Sequence, residues 1–236
     1  DGSWATGFRP AGHTGFVEAD SWIYTGMVPF DVAGLAAAKG GRLAMAAYLD
    51  TVLSSLTGAH GYADLGNEPS IELPWEYDYI GEPARTQAAV RRITSQLWSD
   101  SPGGLGAGND DLGAMSAWYV WAALGMYPMT PGTADLALGS PQFPRAVLTL
   151  SSGATLSVEG NGAAPAAPYV RAASWDGTPW DRAYAPAGAL TRGGTLRFTL
   201  AARPQRSWAA GPAAAPPSYG GDTLAAAGPS RSRLSR

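Results

Sequence analysis

Gly108-Asn109-Asp110-Asp111-Leu112-Gly113-Ala114-Met115-Ser116-Ala117-Trp118 is the most informative segment of this chain, because two adjacent acids stand between two glycines and run directly into an apolar helix pattern. Adjacent carboxylates repel each other, and burying such charges is costly unless they are paired or bind a ligand. The glycines allow a tight turn and the close approach of a ligand. We therefore predict that Asp110 and Asp111 lie on a constrained loop at the start of a helix, where catalytic and metal-binding carboxylates are often held.

Two further acidic segments precede this one, Val17–Tyr24 and Gly66–Glu72. Each lies in or beside a loop with aromatic, glycine or proline neighbours. A carboxyl beside tryptophan and tyrosine gains proton affinity through desolvation, which suits a general acid. Taken singly, each acid is more often a solvated surface group or a helix cap, and Asp110 or Asp111 could simply cap the helix that begins near residue 113. Three such segments on successive loops between helices favour a shared site.

The composition excludes several classes of function. The chain has 236 residues and a net charge of −3, which argues against a nucleic acid partner. Its apolar runs are far shorter than the roughly 20 residues of a membrane helix, so no membrane span is expected. The first residues lack the basic start and apolar run of a signal peptide, and we expect the chain to be a fragment of a longer protein.

The metal chemistry open to the chain is also narrow. It contains no cysteine, which excludes disulfides, thiolate metal sites and cysteine nucleophiles. With only His13 and His60, a histidine-rich zinc site is not expected. Any metal should therefore be a hard cation held by oxygen ligands, either calcium or magnesium.

The hydrophobic patterning predicts helices first and strands afterwards. Helical spacing and proline or glycine boundaries predict helices over 29–38, 41–56, 83–99 and 113–126, the last buried on most sides. Alternating patterns predict strands over 146–150, 155–158 and 195–200 in an antiparallel unit. The predicted divisions are a helical domain over 1–133, a β segment over 134–203 and a disordered tail over 204–236.

Three motifs in order along the chain resemble glycoside hydrolase family 92, the α-mannosidases. One is Gly66-Asn67-Glu68-Pro69 with Pro74-Trp75 and Thr86-Gln87. A second is Gly108-Asn109-Asp110-Asp111 with Met115–Val120 and Leu124–Pro128. The remaining motif, which comes first along the chain, is Glu18 with Trp22, Tyr24, Val28, Pro29 and Asp31. Gly139-Ser140-Pro141 and the later strands also match, so the resemblance covers roughly residues 8–203.

The resemblance implies a calcium-dependent exo-acting enzyme that hydrolyses terminal α-mannosidic bonds, as an α-1,2-mannosidase does, with inversion. Its partners would be mannose-containing glycans, and its place would be outside the cell or at the cell envelope. The family joins an N-terminal β-sandwich to an (α/α)6 barrel. This chain would hold only the later barrel helices and the β segment that follows them, without the β-sandwich.

Carried onto this sequence, the resemblance implies a role for each motif. Glu18 matches the general acid, and the pair Asp110 and Asp111 matches the acids that position and deprotonate the attacking water. Asp111 is preferred as the base, with the choice between the two left open. Asn67 and Glu68 match the loop that supplies Ca²⁺ and sugar contacts, and Trp22 is a further substrate-binding candidate. Inversion would place the Glu18 and Asp111 carboxyls about 6.5–9.5 Å apart.

The chain departs from the family pattern at four positions. Many family members carry glutamine where Ile23 and Ala114 stand, and histidines where Ile71 and Glu72 stand. These changes affect sugar contacts rather than the proposed acid or base. Two other hypotheses remain: a non-catalytic remnant or carbohydrate-binding fragment, and a different (α/α)6 glycosidase.

Overall fold

The computed structural model describes residues 6–7, 9, 11–104 and 108–220, and its helices fall mainly in the first half of the chain. The α-helices among these residues are α1 (Ser21–Tyr24), α2 (Val32–Ala38), α3 (Arg42–Val52), α4 (Glu76–Tyr79), α5 (Pro83–Leu97), α6 (Ala114–Leu124) and α7 (Ala189–Arg192). Short 3₁₀ turns, among them Glu68–Ser70 and Asp111–Gly113, connect several of them. The helices predicted from spacing are confirmed, with ends that differ by a few residues.

Helix α5 shows why its proline and the spacing of its apolar residues predicted a helix. Pro83 opens the helix, where its missing N–H costs nothing. Val90 and Ile93 stand three residues apart and are both buried, as expected for one apolar face of a helix. Helix α3 is shorter than predicted, because the chain leaves helical geometry after Leu53 and turns towards the loop that carries Gly66–Glu72.

Helix α6 follows the acid pair and begins after Gly113, whose φ of 95° suits glycine. It ends at Gly125 in the left-handed conformation, the usual helix stop. The prediction that this helix is buried on most sides is wrong for the described residues. Met115 and Trp118 are buried, but Val120 on the opposite side is 56% exposed.

The second half of the chain forms a five-stranded sheet and a two-stranded ribbon. The strands are β1 (Met126–Tyr127), β2 (Ala137–Leu138), β3 (Arg145–Thr149), β4 (Thr155–Asn161), β5 (Tyr169–Trp175), β6 (Thr178–Pro179) and β7 (Gly194–Ala201). The sheet order is β3-β4-β7-β5-β6. Strands β4 and β7 pair in parallel, so the prediction of a purely antiparallel unit is wrong. The long connection through β5, β6 and α7 brings β7 back in the same direction as β4.

Two apolar cores lie beneath these elements and interleave between residues 126 and 138. Tyr127 and Ala137 belong to the helical core, whereas Met126, Leu136 and Leu138 belong to the sheet core. This alternation follows from the period-two geometry of β1 and β2, which sends successive side chains to opposite faces. The predicted domain boundary between residues 133 and 134 therefore falls within a segment whose side chains contribute to both cores.

Residues 204–220 pack against the rest of the chain, so the prediction of a disordered tail is wrong for this part. Trp208 is 5% exposed, and its indole N–H donates to the carbonyl of Trp180 over 3.0 Å. The backbone N–H of Tyr219 donates to the carbonyl of Phe30 over 2.7 Å. One large aromatic side chain and a few backbone bonds anchor a segment that is otherwise rich in alanine and proline. Residues 221–236 lie outside the described residues.

The described helices do not close into a barrel, and the (α/α)6 architecture stays an implication of the family resemblance. None of these helices joins sufficient length to sufficient apolar character for a membrane crossing.

Candidate active site

Glu18 and Asn67 are in direct contact, although 49 residues separate them in the sequence. The side-chain N–H group of Asn67 donates to a carboxylate oxygen of Glu18 over 3.1 Å and to its backbone carbonyl over 3.2 Å. The side-chain oxygen of Asn67 accepts from the backbone N–H of Glu68 over 3.1 Å. Asn67 thus holds Glu18 with one end of its amide and orients the Glu68 loop with the other.

The segment that carries Glu18 is fixed by its neighbour Asp20. One carboxylate oxygen of Asp20 caps α1 by accepting from the N–H of Ile23, and the other accepts from Gly61 over 2.6 Å. Asp20 is 3% exposed, and this burial suits a carboxylate whose two oxygens are both satisfied. Sequence reasoning did not single out Asp20 as a structural residue. The signal was present, because an aspartate directly before a short helical pattern is a common N-cap.

Glu68 and Asp111 form a second contact between the acidic loops. Desolvation and the negative charge of Glu68, to which Asp111 is hydrogen-bonded, raise the pKa of Asp111 above its ordinary value. Two neighbouring carboxylates repel each other, so either one of them keeps a proton or a cation offsets their charge. Asp111 has a φ of 45°, a left-handed conformation that is uncommon outside glycine and that interrupts regular helical geometry at this residue.

Asp110 has a different environment from that of Asp111. Its carboxylate accepts from the backbone N–H of Ser116 over 2.9 Å and from the Ser116 hydroxyl over 2.6 Å. Its backbone carbonyl accepts from the N–H groups of Gly113 and Met115. Asp110 therefore satisfies N–H groups at the start of α6, as the capping interpretation predicted for one member of the pair.

The two loops meet through glycines at their closest approach. Gly108 has a φ of 63°, and a methyl group at this position would lie 2.3 Å from the carbonyl oxygen of Gly66. No real Cβ tolerates this distance from a backbone oxygen. Gly108 is therefore needed both for its backbone conformation and for the contact that keeps the Asp111 loop against the Glu68 loop.

This contact gives a testable prediction. We expect Gly108→Ala to push the two loops apart and to lower the free energy of unfolding of the 236-residue chain by about 1–3 kcal/mol, because the backbone must shift to admit the methyl group. The matched control is Gly113→Ala, whose φ of 95° imposes comparable strain while a methyl group there meets nothing within 4 Å. Comparing urea unfolding of both variants separates the loop contact from backbone strain, and equal losses of stability would contradict the prediction.

Four predicted site residues are thus linked by contacts running from Glu18 through Asn67 and Glu68 to Asp111. Trp22 is not part of this series. Its ring packs edge-on against Tyr48 with centroids 5.3 Å apart, and the Lys39 ammonium lies 5.2 Å from its centre. Trp22 lines a neighbouring depression with His60 and Tyr62, not the pocket beside Glu18.

The oxygen donors of this site are the kind that Ca²⁺ prefers, but they do not make up a complete ligand set. Calcium takes six to eight oxygen ligands. Across the part of the chain that the structure describes, no three histidine or acidic side chains are grouped as a metal site. Asn67, expected as a ligand, already uses both ends of its amide in hydrogen bonds. The described residues therefore do not fit a calcium ion without further ligands.

Sequence reasoning did not assign two further acids, Glu72 and Glu76, to the site; Glu72 interacts with Glu68, and Glu76 interacts with Glu72. Burial, with the charge of Glu68 adding to it, raises the pKa of Glu72 to about 7. Burial, with the charge of Glu72 adding to it, raises the pKa of Glu76 well above its ordinary value, and Lys39 opposes the shift. Among the described residues, neither oxygen of Glu76 has a hydrogen-bond partner. The acidic character of the site therefore continues inward as carboxyls that hold their protons more tightly than a carboxyl in water.

Comparison with known proteins identifies a family model and solved structures that are similar to this chain. The family model described as the glycosyl hydrolase family 92 catalytic domain matches residues 1–202. A family GH92 α-mannosidase from Bacteroides thetaiotaomicron is 30% identical with a TM-score of 0.85, over 92% of this chain and 29% of that one. A family GH92 inverting mannosidase from the same organism is 32% identical with a TM-score of 0.79, over 86% of this chain and 30% of that one.

A curated relative from Arthroderma benhamiae, named an uncharacterized secreted glycosidase, is 29% identical over 206 residues. This alignment covers 86% of the present chain and 26% of the relative. The chain thus spans less than a third of the length of the proteins that it matches.

Proposed function

This chain belongs to glycosyl hydrolase family 92, and from that premise we propose that the full-length protein hydrolyses terminal α-mannosidic bonds, with α-1,2-linked mannose as the substrate type and inversion at the anomeric carbon. The observation that carries this proposal is the series of contacts from Glu18 through Asn67 and Glu68 to Asp111. It joins three loops of distant sequence position, which carry Glu18, Glu68 and Asp111, into one acidic surface. The similarity to mannosidases of the same family supports the choice of mannose.

In the proposed reaction, Glu18 donates its proton to the glycosidic oxygen as the bond from that oxygen to the anomeric carbon breaks. Asp111 takes a proton from a water molecule whose oxygen attacks the anomeric carbon from the opposite face. The products are mannose of inverted configuration and the alcohol of the leaving group. Such a reaction requires about 6.5–9.5 Å between the two carboxyls, which leaves room for the water.

We assign the base to Asp111 rather than to Asp110. The Asp110 carboxylate is already engaged by the backbone N–H and the hydroxyl of Ser116 at the start of α6, which leaves it less free to orient a water molecule. The raised pKa of Asp111 favours the role of proton acceptor, because a stronger base takes a proton from water more readily. Asn67 positions Glu18, and Glu68 is proposed to contact the sugar. Trp22 stays a proposed contact for a more distant part of the substrate.

Calcium dependence is proposed for the full-length protein rather than for this chain alone. Glu68 and Asp111 present hard oxygen donors, and the missing ligands would come from the substrate and from parts of the protein beyond this chain. Chelation with EDTA should abolish hydrolysis by the full-length protein, and added Ca²⁺ should restore it. Secretion or attachment to the cell envelope is proposed because a curated relative is named a secreted glycosidase.

The decisive test of the function is the identity and configuration of the first product. The full-length protein is incubated with an α-1,2-linked mannobiose, and proton NMR spectra are recorded before the sugar mutarotates. We expect β-mannose to appear first. An α-mannose signal at first appearance would overturn inversion, and hydrolysis of α-glucosides or α-galactosides in place of mannosides would favour a different glycosidase. A folded full-length protein inactive on all of them would favour the non-catalytic hypothesis.

A further inference from the structure

The chain contains two histidines, and the structure brings them together. His13 and His60 are 47 residues apart in sequence, yet Nε2 of His13 lies 3.0 Å from Nδ1 of His60. Their rings meet edge-on, with centroids 4.5 Å apart and planes at 73°. Both side chains are exposed, so neither apolar packing nor burial explains the meeting.

From this juxtaposition we propose that His13 and His60 form a binding site for a borderline divalent transition-metal ion such as Cu²⁺ or Zn²⁺. Imidazole nitrogen is a preferred ligand for these ions and a poor one for calcium or magnesium. Two nitrogens that bind one tetrahedral metal at 2.0–2.1 Å lie about 3.3 Å apart, so the observed separation needs only a small rotation of exposed rings. The proposal does not rest on the proposed hydrolase function.

The two imidazoles can bind a metal ion without a further group that gives up or takes a proton. The hydrogen bond requires one ring to donate and the other to accept, and each neutral ring carries one N–H. When a metal ion enters, the donor ring moves its proton to its other nitrogen, and both facing nitrogens present lone pairs. Water would fill the remaining coordination positions, because the pair provides two ligands and the described residues group no third beside it.

Nearby negative charge favours a cation at this position. His13 lines the same pocket as Glu18, Asp20 and Asp64. The Asp20 carboxylate accepts from the N–H of Gly61, the residue that follows His60. These carboxylates need not bind the ion to attract it, because unlike charges near a protein surface attract each other without direct contact.

The absence of cysteine and of further histidines makes the test unusually clear. An untagged, EDTA-treated sample of the chain is titrated with Zn²⁺ by calorimetry and with Cu²⁺ by electron paramagnetic resonance. We expect one tight site per chain and hyperfine structure from two nitrogens. Because losing an outer-shell partner already costs 10–100-fold, His13→Ala and His60→Ala should each weaken binding by at least about tenfold. A large excess of Ca²⁺ should not displace either ion.

The matched control is Thr14→Ala, which alters the residue beside His13 and leaves both imidazoles in place. It should bind as the unsubstituted chain does, and circular dichroism should show that all variants fold. Retained affinity in either histidine variant, or coordination by a single nitrogen in the unsubstituted chain, would overturn the proposal. Displacement by Ca²⁺ would place the ion at the carboxylates instead and would overturn it as well.

Discussion

A Glu18→Gln variant of the full-length protein is expected to lose about 10²- to 10⁴-fold in kcat on natural mannosides, the usual contribution of a general acid. Glutamine keeps the shape of the side chain and can still accept the hydrogen bond from Asn67. It cannot supply a proton to the departing oxygen. Steady-state kinetics should therefore show the loss mainly in kcat, with little change in KM for a mannobiose substrate.

The leaving group separates this role from a merely structural one. An aryl mannoside with an acidic phenol, such as 2,4-dinitrophenol, leaves without protonation. Glu18→Gln should thus retain most of its activity on that substrate and lose it on mannobiose. Equal losses on both would contradict the assignment of Glu18 as the acid.

Asp111→Asn is expected to behave differently, because the attacking water must lose a proton whichever group leaves. Activity should fall by a similar factor on both substrates. The matched control is Asp110→Asn, which weakens the bonds to Ser116 and should cost about 1 kcal/mol of stability. Its kcat should fall far less than that of Asp111→Asn. The reverse order would exchange the roles of the two aspartates, and full activity of both variants would end the proposed mechanism.

Local patterns in the sequence predicted the helices that surround the site. Pro83 and the apolar spacing after it are local signals, and so are the glycines on either side of α6. The pairing of β4 with β7 was not predictable in the same way, because it joins segments about 38 residues apart through a parallel register that no local pattern encodes. The packing of Trp208 was not predicted because the composition of the whole segment was given more weight than this one residue. A single buried aromatic side chain outweighed a composition typical of disorder.

The candidate site was predictable in its residue types but not in its contacts. The sequence showed two adjacent aspartates and left their roles open. The two aspartates differ only in the contacts that the fold gives them: Asp110 accepts hydrogen bonds from Ser116, whereas Asp111 is hydrogen-bonded to Glu68. The contact of Glu18 with Asn67, and that of His13 with His60, join residues nearly 50 positions apart. Such meetings depend on the tertiary fold and leave no spacing signature.

The buried acids beside the site lead to a prediction about stability. The pKa of Glu72 is raised from an ordinary 4.5 to about 7, chiefly by burial. A carboxyl whose pKa is higher in the folded than in the unfolded state holds its proton more tightly when folded, so the contribution of Glu72 to stability should be fully present below pH 4.5 and be lost as the pH rises through about 7. The shift of Glu72 corresponds to on the order of 3 kcal/mol.

Substituting Glu72 by glutamine should remove this pH dependence in part, because an amide stays neutral at every pH. We expect urea unfolding of the 236-residue chain to give similar stabilities for Glu72→Gln and the unsubstituted chain at pH 5. At pH 8 the variant should be more stable by a few kcal/mol, a difference that follows from avoiding a buried charge. Glu76, which is also buried and carries a raised pKa, leaves a residual pH dependence in the variant.

The exposed Asp100 provides the matched control for a change from acid to amide. Asp100→Asn removes one negative charge from the surface and should follow the pH profile of the unsubstituted chain from pH 5 to pH 8. Other groups titrate over this range, but they do so equally in all three proteins, so the difference between the curves belongs to the substituted residue. If the stability of Glu72→Gln and that of the unsubstituted chain change with pH in the same way, Glu72 ionises in the folded chain as easily as in water. That result would contradict the prediction.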